Sequence, residues 1–305
     1  MQWGQIKTLF IISFLILDLF LLYQFLNKQG EDELGQISTV AESIETELEA
    51  NDITIAEGAI PKDLPEASQI ESKSSHAFPE EILGQVEDMD DSDKKVELLN
   101  DNQVLKVTLD DPVEVTEETL QDVVNEMVPF SSRYSYWGWN EEEGAALFFQ
   151  ATNNQTIYFN NNGYLLVNIV DGKVTGYVAT LLSFKEGEFS GGGSSTSEIE
   201  IEPLSAIRIL VENGEIQPGD EITSMSIGYH TSYSLAYGEE NSPHVFASAW
   251  KVTVNGERNH FVYAIDGTII DYIDEGTFIT DIKSKYNLSE GREVQSTANE
   301  SRETN

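Results

Sequence analysis

The side chains able to do chemistry are scattered along this chain rather than grouped. Its four histidines, His76, His230, His244 and His260, are far apart. None has an i, i+4 partner or an H-E-x-x-H setting, so their spacing offers no zinc site. There is no cysteine, which removes thiol catalysis, zinc–thiolate centres, iron–sulfur clusters and disulfides. Asp88, Asp90, Asp91 and Asp93 are acidic enough for calcium. However, the sixth position counted from Asp88 is Asp93 rather than Gly, and the twelfth is Leu99 rather than Glu. That run reads as a solvated turn. Gly191-Gly192-Gly193-Ser194-Ser195 reads as a flexible loop. No Lys follows it at P-loop spacing, and Glu198, Glu200 and Glu202 would repel a phosphate. No G-x-S-x-G elbow is present, and the carboxylates are too numerous to single out a glycosidase pair. These residues imply no catalytic set, no cofactor and no metal.

Two groups of residues still suggest recognition. Tyr134, Tyr136, Trp137 and Trp139 form an aromatic cluster that could stack on sugar rings of cell-wall polymer, which would make this an exterior ligand-sensing or cell-wall-binding module, or could meet a partner as an exterior contact patch. The alternative is that they are alternate residues packed on a strand. The second group surrounds Asp18. The segment Ile6–Leu26 has Lys7 and Asp18 as its only charged residues, and its 21 residues would span roughly 31 Å as a helix, a bilayer's hydrocarbon thickness. No A-x-A-like step follows, so an uncleaved anchor is expected rather than a cleaved signal peptide. Lys7 and the terminal amine precede the segment, whereas Lys28 is followed by Glu31, Asp32 and Glu33. The bias points the amino terminus into the cytoplasm and everything after Lys28 outside the cell membrane. Asp18 lies mid-span, where insertion costs about 2.5–3.5 kcal/mol. It shares a helical face with Phe14, Leu15, Leu21, Leu22 and Phe25. That face is a candidate interface with a partner helix, Asp18 accepting a hydrogen bond. A lone tolerated Asp is the plainer alternative.

The expected organisation is a leader over 1–5, a transmembrane helix over 6–26 and a connector over 27–37. A helical and extended arm covers 38–95, an exterior α+β domain 96–283, and a flexible polar tail 284–305. In the arm, Ser38–Ala50 has helical spacing of Val40, Ile44 and Leu48. Ile53–Ile55 reads as a short strand, Gly58–Ser75 as a linker and Pro79–Glu87 as a short helix. The domain opens with a hairpin, Val96–Leu99 and Gln103–Leu109, then a helix over Thr116–Val128 stopped by Pro129. Strands are expected at Ala145–Ala151, Thr156–Asn160, Tyr164–Val170 and Val174–Phe184. A helix over Pro203–Glu212 is followed by strands at Glu221–Tyr229, Val245–Val254, Asn259–Ile265 and Thr268–Ile273. Asp171-Gly172, Asn255-Gly256 and Asp266-Gly267 are tight-turn pairs. The run from Phe148 through Val167 echoes that from Trp250 through Asp271. This suggests one helix-on-antiparallel-sheet unit used twice, as possible subunits 96–190 and 198–283.

Charge narrows the partners. Among 305 residues, 54 are acidic and 17 basic, a net charge of −37. A nucleic-acid site needs Lys and Arg to displace counterions, so that partner is excluded, as is docking onto anionic lipid through basic patches. With 40% hydrophobic residues the chain can build a core.

The anchor sequence WGQIKTLFIISFLILDLFLLYQF, from Trp3 to Phe25, resembles that of the YycI (WalI) family of membrane-anchored regulators. The helix Ser43–Ala50 with Asn51-Asp52-Ile53-Thr54 is similar too. So is the carboxy-terminal module, from Ala206 through Gly219-Asp220 and then Trp250 to Gly267, which also resembles PepSY-type domains. The resemblance implies a single inward-starting helix and an exterior α+β domain. It implies no enzymatic activity but association with a sensor histidine kinase of the WalK type and with a YycH-like regulator, in homo- or hetero-oligomers. The output implied is control of cell-wall metabolism genes through the WalK–WalR two-component system.

Overall fold

The computed structural model describes residues 7, 14–18, 20, 44–62, 69–74, 76–87, 94–184, 201–234 and 243–288. Most of the apolar segment 6–26 lies outside them, as do the connector 27–37, residues 38–43 of the arm helix, the acidic turn and the Gly191–Ser195 loop. Of the apolar segment, Lys7, 14–18 and Phe20 are helical. No helix among the described residues is long and apolar enough to cross a membrane.

The fold is α+β, with two sheets that are antiparallel apart from one strand pair. From residue 44 on, the described elements are a helix, α1, over 44–50, then strands β1 (Thr54–Ile55) and β2 (Gln69–Glu71) and helix α2 (Glu80–Glu87). The hairpin β3 (Lys94–Leu99) and β4 (Val104–Glu114) precedes helix α3 (Leu120–Met127) and a 3-10 turn at Ser131–Arg133. Then come β5 (Tyr134–Asn140), β6 (Ala145–Thr152), β7 (Gln155–Thr156), β8 (Tyr164–Val170) and β9 (Lys173–Thr180). Helix α4 (Pro203–Glu212) leads into β10 (Glu221–Ser234), β11 (His244–Val254), β12 (Arg258–Tyr263) and β13 (Ile269–Ile270), and helix α5 (Glu275–Lys285) closes the described chain.

Seven strands form one sheet in the order β3-β4-β9-β8-β6-β5, with β7 paired to β6. Six form the other, in the order β1-β10-β11-β12-β13, with β2 paired to β11. The turns are held by residues that tolerate positive φ. Asp171 and Gly172 sit at φ 51° and 73°, as the two-residue hairpin turn between Val170 and Lys173 requires, and Asn255 and Gly256 at 54° and 76° open the three-residue loop between Val254 and Arg258. Pro203 begins α4 at a position where its missing N–H costs nothing. Helix α3 starts later than its periodicity predicts. Thr116 and Thr119 bond each other's backbone and hydroxyl groups, and this turn precedes the first helical residue, Leu120. The expected strand Thr156–Asn160 shrinks to Gln155–Thr156. There the chain leaves β6: the Tyr158 N–H bonds the Tyr229 carbonyl of the other sheet, and Phe159 turns back at φ 48°. The hairpin echo is therefore partial, since β12 pairs with β11 along its whole length while β7 pairs with β6 at two positions.

Neither half of the chain encloses its own core. The seven-stranded sheet buries one face beneath α2 and α3, where Ile82, Val86, Leu120 and Val124 meet Leu105, Val107, Phe148, Leu165 and Tyr177. Its other face is covered by the last described helix. Ile279 and Ile282 of α5, with Tyr286 and Leu288 beyond it, join Leu147, Phe149, Tyr164 and Leu166. The packed chain thus runs to Leu288 and not to 283, because these apolar side chains close an open sheet face. The six-stranded sheet is completed from the opposite end. Ile44 and Leu48 of α1 and Ile53 pack with Ala206, Ile207 and Leu210 of α4 on Trp250, Val252 and Val254. Strand β1 then adds itself parallel to β10, pairing Thr54 with Glu221 and Ile55 with Ile222. The arm over 38–95 is accordingly divided between the two cores, with β2 on β11 and α2 on the seven-stranded sheet.

The sheets meet along one seam. Ile157 bridges to Tyr229, and Asn160 Nδ2 donates to the Thr231 hydroxyl at 3.0 Å. Next to β2, Ser72 bridges to Phe184, its N–H bonds the His244 carbonyl, and the Lys73 N–H bonds the Ser183 carbonyl. Gly228 lets β10 come this close. A Cβ there would stand 2.5 Å from the Thr156 carbonyl oxygen and from the Tyr158 ring. Gly228→Ala is therefore expected to destabilise the protein by about 1–3 kcal/mol through overpacking. By contrast Gly84→Ala, in helix α2 with open space around it, is expected to stabilise by about 0.5–1 kcal/mol. Denaturant midpoints of the two variants check both signs.

His76 is buried at this seam, 1% exposed, with neither ring nitrogen hydrogen-bonded, and its ring lies 6.2 Å edge-on from that of His244. Burial, then the neighbouring His244, pushes its pKa down from 6.5 to about 4. Burial also lowers His244 and His230. The folded state thus favours neutral rings that the unfolded chain protonates below about 6.5. Stability is complete above that pH and is lost as pH falls towards 4, by about 3 kcal/mol for His76 alone. Urea unfolding between pH 7 and 4 should show this slope, and His76→Leu should remove most of it.

Candidate functional site

The aromatic cluster on β5 is not a single patch. A bulge between Tyr136 and Gly138 shifts its register against β6, and an extra residue in a strand re-aims its side chains. Tyr134, Tyr136 and Trp139 face the α2–α3 side of the sheet, and Trp137 faces the α5 side, towards the second sheet. Tyr134 is buried, and its hydroxyl donates to the Thr180 carbonyl at 2.8 Å. Burial raises its pKa. Trp139 packs at the edge of the same core. Tyr136 lies against Phe148 and is 42% exposed, more open than the other three.

Trp137 organises a second group of residues. Its ring touches Phe149, Tyr158 and Phe159 and lies nearly parallel to Phe261, 6.4 Å between centroids and 22° between planes. Its Nε1 donates to Glu275 Oε2 at 2.8 Å, and Asn140 Nδ2 donates to Glu275 Oε1 at 3.1 Å. Glu275 occupies the first turn of α5, whose start is capped by Asp274 accepting from the Thr277 N–H at 2.7 Å. Helix α5 is further tied to the β5–β6 turn, where Thr280 donates to Glu143 Oε2 and Lys283 donates to the Glu143 carbonyl. On β11, Trp250 and Val252 point into the α1–α4 core, so Lys251 between them points the other way. Its Nζ stands 4.7 Å from the Trp137 ring centroid, and burial lowers its pKa.

A groove of about 140 Å³ opens beside Trp137. Phe159, Phe261 and Tyr272 supply its other aromatic walls, and Arg258, Asn259, Glu257 and Glu275 its polar rim. Arg258 does not move freely there. Its Nη2 donates to Asp220 Oδ1 at 2.6 Å, and Asn255 Nδ2 donates to the same oxygen at 2.8 Å. The other oxygen, Oδ2, accepts the Gln217 N–H at 2.8 Å. These bonds, the Gln217 backbone bond first, hold the Asp220 carboxyl below the usual carboxylate range. Among the described residues no group of three or more His, Asp or Glu could hold a metal ion.

Of the anchor face, Phe14, Leu15 and Asp18 are described, while Leu21, Leu22 and Phe25 lie outside the described residues. Phe14, Leu15, Ile16, Leu17 and Phe20 are helical and about half or more exposed.

The family model described as "YycI protein" matches residues 32–267. The chain belongs to the YycI family. The matched span begins after the apolar segment and ends before β13 and α5, so the YycI signature covers every strand of both sheets except β13 and does not reach Glu275. No curated protein matches the chain. Among solved structures it is similar to YycH from Bacillus subtilis, at 10% identity and a TM-score of 0.37, over 68% of this chain and 54% of that one. The chain spans about half the length of that structure.

Reading single residues of this YycI member by type missed Lys251, Glu275 and the Asp220–Arg258 pair. Glu275 had a local signal: Asp274 followed by Thr277, apolar Phe278, Ile279 and Ile282, then Lys283 and Lys285 make a capped helix with basic residues in its last turn. Asp220 had one in the Gly219-Asp220 step and the Asn255-Gly256 turn facing it. Asp220→Asn keeps the shape but removes the charge from these bonds. It is expected to cost about 1–3 kcal/mol, measured by chemical unfolding at pH 7. Arg258→Ala should add little to that loss, because both substitutions delete the same ion pair.

Proposed function

We propose that this YycI-family chain is a non-enzymatic regulator held in the cell membrane by residues 6–26. Its amino terminus is cytoplasmic and its α+β domain outside. In this reading it biases a WalK-type sensor histidine kinase between signalling states, together with a YycH-like regulator. The observation that carries the reading is the family match over both sheets. The row of apolar helical side chains at 14–17 and 20 supports it, since such side chains are stable where lipid or another helix covers them. A partner shifts a kinase equilibrium only if it binds one state better than the other. The contact therefore has to be specific, and Asp18 is the polar group placed to make it so.

Two substitutions test the reading. Exchanging residues 1–28 for an unrelated anchor should abolish control of the kinase while leaving the exterior domain folded and at the membrane. Unchanged signalling would overturn the helix-contact mechanism. Asp18→Leu should reduce kinase co-purified from membranes several-fold, and undiminished recovery would remove Asp18 from the interface.

A further inference from the structure

The groove beside Trp137 is not used by the kinase contact proposed above, and of the four β5 aromatics expected to stack on sugars it contains Trp137. Its walls are aromatic, and one of them, Tyr272, is 78% exposed. Its rim offers both hydrogen-bonding polarities. Glu275 is an acceptor whose two oxygens are already oriented by Trp137 and Asn140, with lone pairs to spare. Arg258 is a donor whose guanidinium is fixed through one nitrogen by Asp220, which leaves further N–H groups. Asn259 stands beside it, its Oδ1 accepting from the Thr253 hydroxyl and its Nδ2 donating to the Glu257 carbonyl, which leaves one amide N–H for a ligand.

Size and charge narrow the occupant. At about 140 Å³ the groove is below the roughly 300–1,000 Å³ of pockets for drug-sized ligands and cofactors. It has room for a single ring. The rim carboxylates Glu257 and Glu275 are set against Arg258, with Lys251 over the Trp137 ring, so no one sign of charge dominates. A polyanion would also meet a chain of net charge −37. A bare hydrocarbon would leave the remaining lone pairs of Glu275 and the remaining N–H groups of Arg258 unsatisfied, which is costly once water is excluded. A ring with an apolar C–H face and a hydroxyl edge satisfies both the walls and the rim.

We propose that this groove is a saccharide subsite that takes one uncharged pyranose ring. The ring's C–H face lies on Tyr272 and against Trp137. Its hydroxyls donate to Glu275 and accept from Arg258 and Asn259. Glu275 binds and does not catalyse here. The subsite stands apart from the proposed kinase contact, which runs through the membrane segment.

The test uses the purified full chain in detergent micelles with glucose, galactose and N-acetylglucosamine, and with short oligomers of each, as probes. Saturation-transfer NMR should show transfer to ring C–H protons of at least one probe, with Kd on the order of 1 mM for a single ring. Tyr272→Ala, at an exposed position, should keep the unfolding midpoint and weaken binding about tenfold or more. Glu275→Gln should weaken binding too, with Trp137 still bonded to the side-chain oxygen. Oligomers binding more tightly than single rings would identify a polymer as the source, and equal affinity would identify the free sugar. No transfer from any probe, or transfer that Tyr272→Ala leaves unchanged, would overturn the proposal. So would displacement of the Trp137 indole resonance by a basic peptide but by none of the sugars, which would make the groove a peptide site.

Discussion

The fold depends on one constraint: each sheet has a face that a segment from the far end of the chain must complete. The seven-stranded sheet is sealed by α5 and Leu288, and the six-stranded sheet by α1 and β1. Burying a Leu or Ile side chain contributes about 1.5–3 kcal/mol, so Ile44 and Leu48, or Ile279 and Ile282, make up a large part of a stability that is typically about 5–15 kcal/mol in total. Neither sheet has that contribution from its own stretch of sequence. The seam between the sheets follows from this interlock. Gly228, Tyr158 and the Ile157–Tyr229 bridge bring the two layers into direct backbone contact.

The candidate site is a product of the same arrangement. Trp137 comes from the seven-stranded sheet, Lys251, Arg258 and Phe261 from the six-stranded sheet, and Glu275 from the helix that crosses between them. No local stretch of sequence contains the groove. It exists because α5 is drawn across the first sheet by its apolar face and leaves its acidic first turn beside the bulge in β5.

This division explains what could be read from the chain alone. Helix Pro203–Glu212, strand Tyr164–Val170 and the Asn-Gly and Asp-Gly turns were legible because local chemistry dictates them: a proline at the first turn, alternating or continuous apolar runs, residues that accept positive φ. The split of Tyr134, Tyr136 and Trp139 from Trp137 was not, since a bulge leaves little mark beyond Gly138. The parallel pairing of β1 with β10 was not either, because register between distant segments is settled by packing rather than propensity. Asp220 and Arg258 were visible as residues but not as a pair, their partnership being made by the facing turn at Asn255-Gly256.

Strand β1 has a mechanical meaning. A pull on the chain ahead of residue 44 does not peel away a loose tether. It loads α1 and then β1, whose pairing of Thr54 with Glu221 and Ile55 with Ile222 passes the load to β10. Tension arriving from that side would therefore be borne by the strand that forms the seam, and both layers would feel it at once.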